Sequence, residues 1–267
     1  MTSDKESKKR ISSDKKKALT LSDILIPIGV VIGILIIWQV VCDLEIVPSY
    51  MLPSPKKIAN AFVSDFPLLM QHSKVTLIEA LLGMVIGVLL GFITAALMDT
   101  FQVVKKGLYP ILVITQTIPP VAIAPVLILW FSYGITPKVV LVVLVVYFPI
   151  AVGLLEGFQS VDPDMILLMK SMKATRWQIF WHVKFPNALG EFFSGLQIAV
   201  AYSVVGAVIS EWLGGMEGLG VYMTRVKKAY SYDKMFAVIF LVSFISLILM
   251  GLVKLVQYKA TPWKHSR

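Results

Sequence analysis

The sequence has little charge and almost no cysteine. Charged residues make up 15% of the 267 positions, whereas soluble globular domains carry about 25%. Most of its surface therefore cannot face water. The single cysteine, Cys42, excludes a disulfide framework, and the three histidines are too scattered to suggest a metal site. No Gly-Lys dipeptide occurs, so the chain has no Walker A loop for ATP.

What the sequence does have is long apolar runs, with 57% hydrophobic residues and a mean hydropathy of +0.79. A bilayer core of roughly 30 Å needs about 20 consecutive apolar residues per helix. Runs of this kind predict an all-α, polytopic membrane protein with about six transmembrane helices. The predicted spans are 24–42, 75–98, 107–131, 139–155, 193–209 and 235–257.

The positive charges predict an orientation and a tail. Residues 1–20 are polar and basic, which predicts a disordered cytoplasmic tail before a permease domain over 21–267. With this tail inside the cell, 17 of the 25 Lys and Arg residues lie on the cytoplasmic side, as expected for membrane proteins. Both termini are therefore expected in the cytoplasm. The net charge of +9 has the same explanation and does not indicate nucleic-acid binding.

Several residues within the spans are candidates for a functional or a packing role. Gly83, Gly87 and Gly91 repeat at four-residue spacing, which allows a close helix crossing either beside a pathway or as ordinary packing. The polar and proline residues of the third span favour a pathway lining or a simple kink. Glu79 and Glu156 are expected to extend to the membrane interface, and no carboxylate is expected at mid-span. Candidates for pathway lining are Gln116, Thr117, Pro119, Pro120, Gln197 and Glu211.

The basic cytoplasmic segment 158–192 holds the clearest motif. Asp162-Pro163 predicts a helix start, and the helix is expected to run over about 164–175. Apolar residues recur at helical spacing from Met165 to Met172. Such a helix can dock in a partner's groove or lie on the anionic inner leaflet, and the residues alone do not separate the two. Across the membrane, Ser54-Pro55 predicts the start of a short surface helix, and 211–220 a tight re-entrant turn or gate.

The same segment is similar to the cytoplasmic loop of binding-protein-dependent ABC permeases. The family signature there is EAA, three residues, Gly, nine residues and Ile-x-Leu-Pro. SVDP at 160–163 and the sequence ending at Pro186 set its register. The Glu-Ala-Ala then falls on Leu167, Leu168 and Met169 and the Gly on Lys173, so all four signature residues are replaced. Further matches are LPSP at 52–55, IPPVAIAPVLILWF at 118–131, FPI at 148–150, SGLQIA at 194–199 and EWLGGMEGLG at 211–220.

This resemblance implies the type I ABC importer permease fold (MetI-like) and a role as a transport subunit, not an enzyme. The implied partners are two cytoplasmic ATPases, an external substrate-binding protein and a second permease subunit, expected to be an identical copy. No cofactor, catalytic residue or metal ligand is expected in this chain, since the partner hydrolyses ATP. The residues expected to couple to the ATPase are Asp164, Leu167, Leu168, Met169, Met172, Lys173, Ala174 and Arg176.

The branch that the chain resembles includes permeases for nitrate, sulfonates, taurine and pyrimidine precursors of thiamine. EWLGG followed by GLGVYMTR at 218–225 looks most like the thiamine-precursor permeases, with sulfonate, taurine or nitrate as alternatives. A secondary transporter is the rival class. Internal repeats and buried charges typify that class, and the absence of a repeat and of a mid-span carboxylate counts against it.

Overall fold

The computed structural model describes residues 21–262, and the predicted tail over 1–20 lies outside the described residues. The chain divides into two units, Met1–Ala59 and Asn60–Arg267. Helices dominate both. They are α1 (Leu21–Asp43), α2 (Pro55–Ser64), α3 (Phe66–Thr100), α4 (Gln102–Gln116), α5 (Pro120–Phe131), α6 (Thr136–Gln159), α7 (Pro163–Ser171), α8 (Arg176–Ile179), α9 (Phe185–Gly214), α10 (Leu219–Lys228) and α11 (Tyr232–Ala260).

Five or six membrane crossings account for this order, which confirms the predicted all-α fold with about six spans. Within the described residues, five helices are long and apolar enough to cross a bilayer, and α4 with α5 is either a sixth, broken span or a re-entrant loop. Those two helices meet at an angle of 104°, a sharper break than the predicted proline kink. Thr117 and Pro119 lie at the break, where Pro119 adopts an extended conformation (φ −61°, ψ 129°) that a helix cannot contain.

The first unit consists of α1, a short connection and the start of α2. The predicted cap of α2 is confirmed, because the backbone N–H of Lys57 donates to Ser54 Oγ at 3.3 Å. Pro55 then occupies the first helical position, where its missing N–H costs nothing.

The core of the second unit is built from α3, α6 and α9, which make its most extensive helix contacts. The predicted glycine repeat packs α3 on α6. A Cβ on Gly87 would come within 2.8 Å of Val146 Cγ1, and one on Gly91 within 2.8 Å of Ile150 Cγ2. Larger residues would therefore push the two helices apart. The opposite face of α3 leaves Leu82, Val85, Leu89 and Ile93 exposed, as suits contact with lipid.

Candidate functional site

The cytoplasmic segment begins as its sequence predicts. Asp162 Oδ1 accepts a hydrogen bond from the backbone N–H of Asp164 at 2.9 Å, which caps α7 at its N-terminus. Asp164 itself lies in the first turn, where a negative charge stabilises the helix dipole.

The predicted C-terminal boundary of this helix is wrong, because α7 ends at Ser171 and not near Thr175. Lys173 has a φ of +60°, which lies in the left-handed region. Its backbone N–H donates to the Lys170 carbonyl at 2.9 Å, and that of Ala174 donates to the Met169 carbonyl at 3.0 Å. This is a Schellman ending, in which glycine usually occupies the left-handed position. Lys173 is the residue on which the predicted register places the family's Gly, and it adopts a backbone conformation that glycine favours.

The chain re-enters a helix at once. Thr175 Oγ1 accepts from the backbone N–H of Gln178 at 3.3 Å, and Gln178 Oε1 accepts from the backbone N–H of Thr175 at 2.8 Å. This capping box begins α8. A π-helical turn over Phe180–Lys184 then leads into α9. Such widened turns occur frequently at functional sites.

Apolar side chains of this segment face outward. Met165, Leu167, Leu168 and Met172 are 49–70% exposed. We call these four residues, together with the charged Lys173 and Arg176, the coupling surface. Met169 and Ala174 are half-buried behind it. Large apolar side chains that nothing in the described chain covers are typical of an interaction surface.

The other side of the segment is fastened to the transmembrane helices. Lys184 Nζ contacts both carboxylate oxygens of Asp99 in α3, at 2.8 and 2.7 Å. The ring of Phe185 packs on Phe92 at 5.9 Å between centroids, and Phe180 packs on Phe158 at 5.1 Å. These contacts join residues 180–185 directly to α3 and α6.

A recess of about 310 Å³ lies between α6 and α9. Polar groups reach it from Gln116 at the end of α4 and from Glu156, Glu191, Ser194 and Tyr202. Gln116 was predicted from its place in the interrupted span. Glu191, Ser194 and Tyr202 were missed, and Glu156 was predicted only to extend to the membrane interface, because nothing in the sequence shows that α6 and α9 face each other.

The other predicted pathway residues are dispersed. Pro120 lines a smaller recess of about 210 Å³ that Gln116 and Tyr202 also border. Thr117 and Pro119 are exposed at the break between α4 and α5. Gln197 donates to Gln257 of α11 at 2.9 Å, and Glu211 lies in a buried cluster outside both recesses. Their role in a pathway stays a prediction.

That buried cluster corrects the expectation for Glu79, which does not extend to the membrane interface. Glu79 is 1% exposed, and its Oε1 accepts from Lys138 Nζ of α6 at 2.6 Å. Glu211 of α9 is also 1% exposed. It accepts from the Thr76 hydroxyl at 2.7 Å and from the backbone N–H of Gly220 at 2.6 Å. Two carboxyl groups are therefore buried in span-forming helices, Glu211 three residues before the end of α9, and the absence of a mid-span carboxylate stays a prediction.

The same cluster explains the glycines of 211–220. The chain turns back over the end of α9 and begins α10, whose first N–H groups point inward. Gly218 donates to His72 Nδ1 at 3.0 Å, and Leu219 donates to Thr76 Oγ1 at 2.9 Å. Gly218 has a φ of +123°, and a Cβ there would collide with the Glu211 carboxyl group. We call residues 214–220 the closing turn.

No group of three or more His, Cys, Asp or Glu side chains suited to hold a metal ion occurs within residues 21–262. Five or six apolar crossings, an exposed apolar surface on the segment after α6 and a recess between α6 and α9 are the features of a multi-pass membrane permease. The chain belongs to the family of binding-protein-dependent transport system inner membrane components, whose pattern matches residues 87–261. Proteins of this family are transport subunits without catalytic activity of their own.

Relatives with assigned names agree with this placement. A probable ABC transporter permease protein of Haemophilus influenzae is 39% identical over 226 residues, which is 85% of this chain and 92% of the relative. The formylaminopyrimidine transport permease protein ThiX of Halalkalibacterium halodurans is 34% identical over 235 residues, or 88% and 94% of the two chains. The predicted family branch is confirmed.

Solved structures confirm the fold. The crystal structure of an amino acid ABC transporter superposes with a TM-score of 0.59 at 18% identity, covering 75% of this chain and 96% of the other. The chain therefore has the type I ABC importer permease fold.

Proposed function

We propose that this permease imports a pyrimidine precursor of thiamine, of the hydroxymethylpyrimidine type. The observation that carries the proposal is the 34% identity with a formylaminopyrimidine permease, sustained over 88% of this chain. The runner-up substrates are sulfonates, taurine and nitrate, which other permeases of the branch carry.

The chemistry of the recess favours the pyrimidine. Its lining includes Glu156 and Glu191 and, within the described residues, no Lys or Arg. Carboxylates attract ring and amino N–H donors and repel anions. A nitrate or sulfonate ion would meet repulsion here, whereas an aminopyrimidine offers donors.

The proposed assembly contains two copies of this chain, two cytoplasmic ATPase subunits and an external binding protein that delivers the solute. The ATPases bind and hydrolyse ATP, and this chain binds no cofactor. The coupling surface docks on the ATPase, since its exposed apolar side chains suit a partner's groove. Closure of the two ATPase subunits on ATP then switches the pathway from inward-open to outward-open.

The proposed location is the bacterial cell membrane, with both termini in the cytoplasm. The distribution of Lys and Arg supports this orientation. In this orientation, the coupling surface lies on the cytoplasmic side, where ATP is available, and the closing turn lies on the side of the binding protein.

The test is ATPase activity of the complex, reconstituted in liposomes with the ATPase and binding protein encoded beside it. Aminopyrimidines, sulfonates, taurine and nitrate are added one at a time. We expect stimulation by an aminopyrimidine only, and only with the binding protein present. Stimulation by a sulfonate, taurine or nitrate instead would identify that compound as the substrate and overturn the pyrimidine proposal. Failure of the complex to assemble would contradict the proposal that the coupling surface docks on the ATPase.

A second measurement separates the rival class. Uptake into liposomes that hold ATP is measured with and without a proton ionophore. We expect uptake to continue when the ion gradient is dissipated and to stop when ATP is removed. The reverse pattern would indicate a secondary transporter.

A further inference from the structure

Two carboxyl groups and one ammonium group meet in the buried cluster between α3, α6 and α9. Glu79 and Lys138 form an ion pair of 2.6 Å, and Thr76, one turn before Glu79 on α3, donates to Glu211 at 2.7 Å, which brings the two carboxyl groups to the same face of the helix. Both glutamates are 1% exposed and Lys138 is 7% exposed. These three side chains are shielded from bulk solvent, so their charges must largely balance one another.

With both glutamates ionised, the cluster holds two negative charges and one positive charge, which leaves one negative charge in excess. His72 accepts the Gly218 N–H through Nδ1, and a ring nitrogen that accepts carries no proton, so this imidazole is neutral. Lys138 then faces two carboxylates alone. His72 also lies in the field of Glu217 and Arg225, whose opposite charges offset each other. An uncompensated buried carboxylate costs several kcal/mol.

The hydrogen bonds leave one position open. Both Glu211 oxygens have donors, Thr76 and Gly220, and Glu79 Oε1 has Lys138. Glu79 Oε2 is buried and has no donor among the described residues. Two ionised carboxylates in contact only accept hydrogen bonds, whereas a protonated carboxyl group supplies the missing donor.

We propose that Glu79 and Glu211 bind one proton between them and that this buried proton-binding site fastens the closing turn to α3 and α6. The proton forms a hydrogen bond between the two carboxyl groups and reduces the charge of the cluster, with Lys138, to zero. Release of the proton leaves a buried negative charge beside Gly218 and Gly220, which opening of the turn relieves by admitting water. This site is separate from the proposed substrate and does not depend on it.

The direct test is infrared spectroscopy of the purified full chain in detergent at neutral pH. A protonated carboxylic acid has a carbonyl band that ionised carboxylates lack and that shifts in heavy water. We expect this band in the wild type, its loss in both Glu79→Gln and Glu211→Gln, and its retention in Glu217→Gln, which changes an exposed glutamate of the same turn. Absence of the band in the wild type, or its survival in both cluster variants, would overturn the proposal.

A second test reads opening of the turn without altering the cluster. A single cysteine replaces either Val221, which is 5% exposed, or Met216, which is 81% exposed, in a chain with Cys42→Ser. The maleimide labelling rate at 221 is divided by that at 216, which removes the pH dependence of thiol reactivity. We expect this ratio to rise with pH, by up to about tenfold per pH unit for one released proton, and to stay flat when Glu211→Gln is added. A labelling ratio that is independent of pH but changes with sodium concentration would indicate that the site binds a metal cation and not a proton, and this would overturn the proposal.

Discussion

The closing turn makes its polar contacts within the same chain, whereas the coupling surface leaves its apolar side chains exposed. In the closing turn, the first N–H groups of α10 meet His72, Thr76 and Glu211 inside the same chain. On the coupling surface, Leu167, Leu168 and Met172 contribute more than half of their area to the exterior. One region is complete within the protein and the other requires a partner. Substitutions should therefore harm folding in the first region and assembly in the second.

The largest effect is expected from Lys138→Met, which removes the only cation from the buried cluster. Leaving a buried charge without its partner costs roughly 3–5 kcal/mol, so the free energy of unfolding in detergent should fall by that amount. The double variant Lys138→Met/Glu79→Gln should recover much of the loss, since the proton proposed to be shared with Glu79 can then stay on Glu211 and leave the cluster uncharged. Equal instability of the single and double variants would contradict the ion pair's role.

Gly218→Ala should be nearly as severe. An alanine at positive φ costs roughly 1–2 kcal/mol, and the collision of its Cβ with the Glu211 carboxyl group adds roughly 1–3 kcal/mol. The melting temperature of the purified protein measures this loss. Gly251→Ala is the matched control, because a Cβ there meets nothing within 4 Å. Similar melting temperatures for the two variants would mean that the turn does not close as described.

Leu168→Asp moves the comparison to the coupling surface. Because Leu168 is 56% exposed, the free energy of unfolding should change by no more than about 0.5 kcal/mol. Truncating a central interface residue costs roughly 2 kcal/mol of binding, so ATPase capture by the purified permease should weaken about thirtyfold. Lys170→Gln is a control on the same helix, since Lys170 is exposed and lies outside the predicted coupling residues. Normal capture by Leu168→Asp would place the docking site elsewhere.

Lys173→Gly should stabilise the protein slightly. Glycine adopts the left-handed conformation of this position without the roughly 1–2 kcal/mol cost that lysine meets, although its greater freedom in the unfolded chain offsets part of the gain. We expect a net gain of about 1 kcal/mol or less, read from thermal unfolding. A loss of stability would show that the lysine side chain contributes a contact which outweighs the strain.

The smallest effect concerns Asp65, which precedes α3. The hydrogen bond from Lys234 and then that from the Tyr222 hydroxyl lower the pKa of this carboxyl group below its ordinary value. Its contribution to stability is therefore complete above the unfolded pKa of about 3.9 and is lost as the pH falls through the lower folded pKa. Asp65→Asn should cost about 1 kcal/mol or less at neutral pH, and the difference from the wild type should shrink in acid. A constant difference would contradict the assignment.

The sequence predicted those features that depend on local patterns. The apolar runs predicted the spans, and the Asp162-Pro163 and Ser54-Pro55 steps predicted two helix starts, because a cap depends on residues two or three positions apart. The family register also placed the family's glycine at position 173. It did not predict the end of α7 there, since lysine rarely adopts the left-handed conformation.

The sequence did not predict contacts between residues that lie far apart in the chain. Glu79 and Lys138 lie far apart in the chain, and each alone resembles a charged residue near the end of a span. Only the packing of α3 on α6 shows that they meet. The same applies to the recess, whose Glu191, Ser194 and Tyr202 come together with Gln116 only when α4, α6 and α9 assemble.

The glycine repeat of α3 gives the protein a mechanical element. Gly83, Gly87 and Gly91 hold α3 against α6 over the stretch between two charged contacts, Glu79 with Lys138 and Asp99 with Lys184. At 1.5 Å per residue, the helix between Glu79 and Asp99 is about 30 Å long, which matches the thickness of a bilayer core. The paired helices thus form a continuous rod that joins Lys184 at one end to the closing turn, which Thr76 of α3 contacts, at the other.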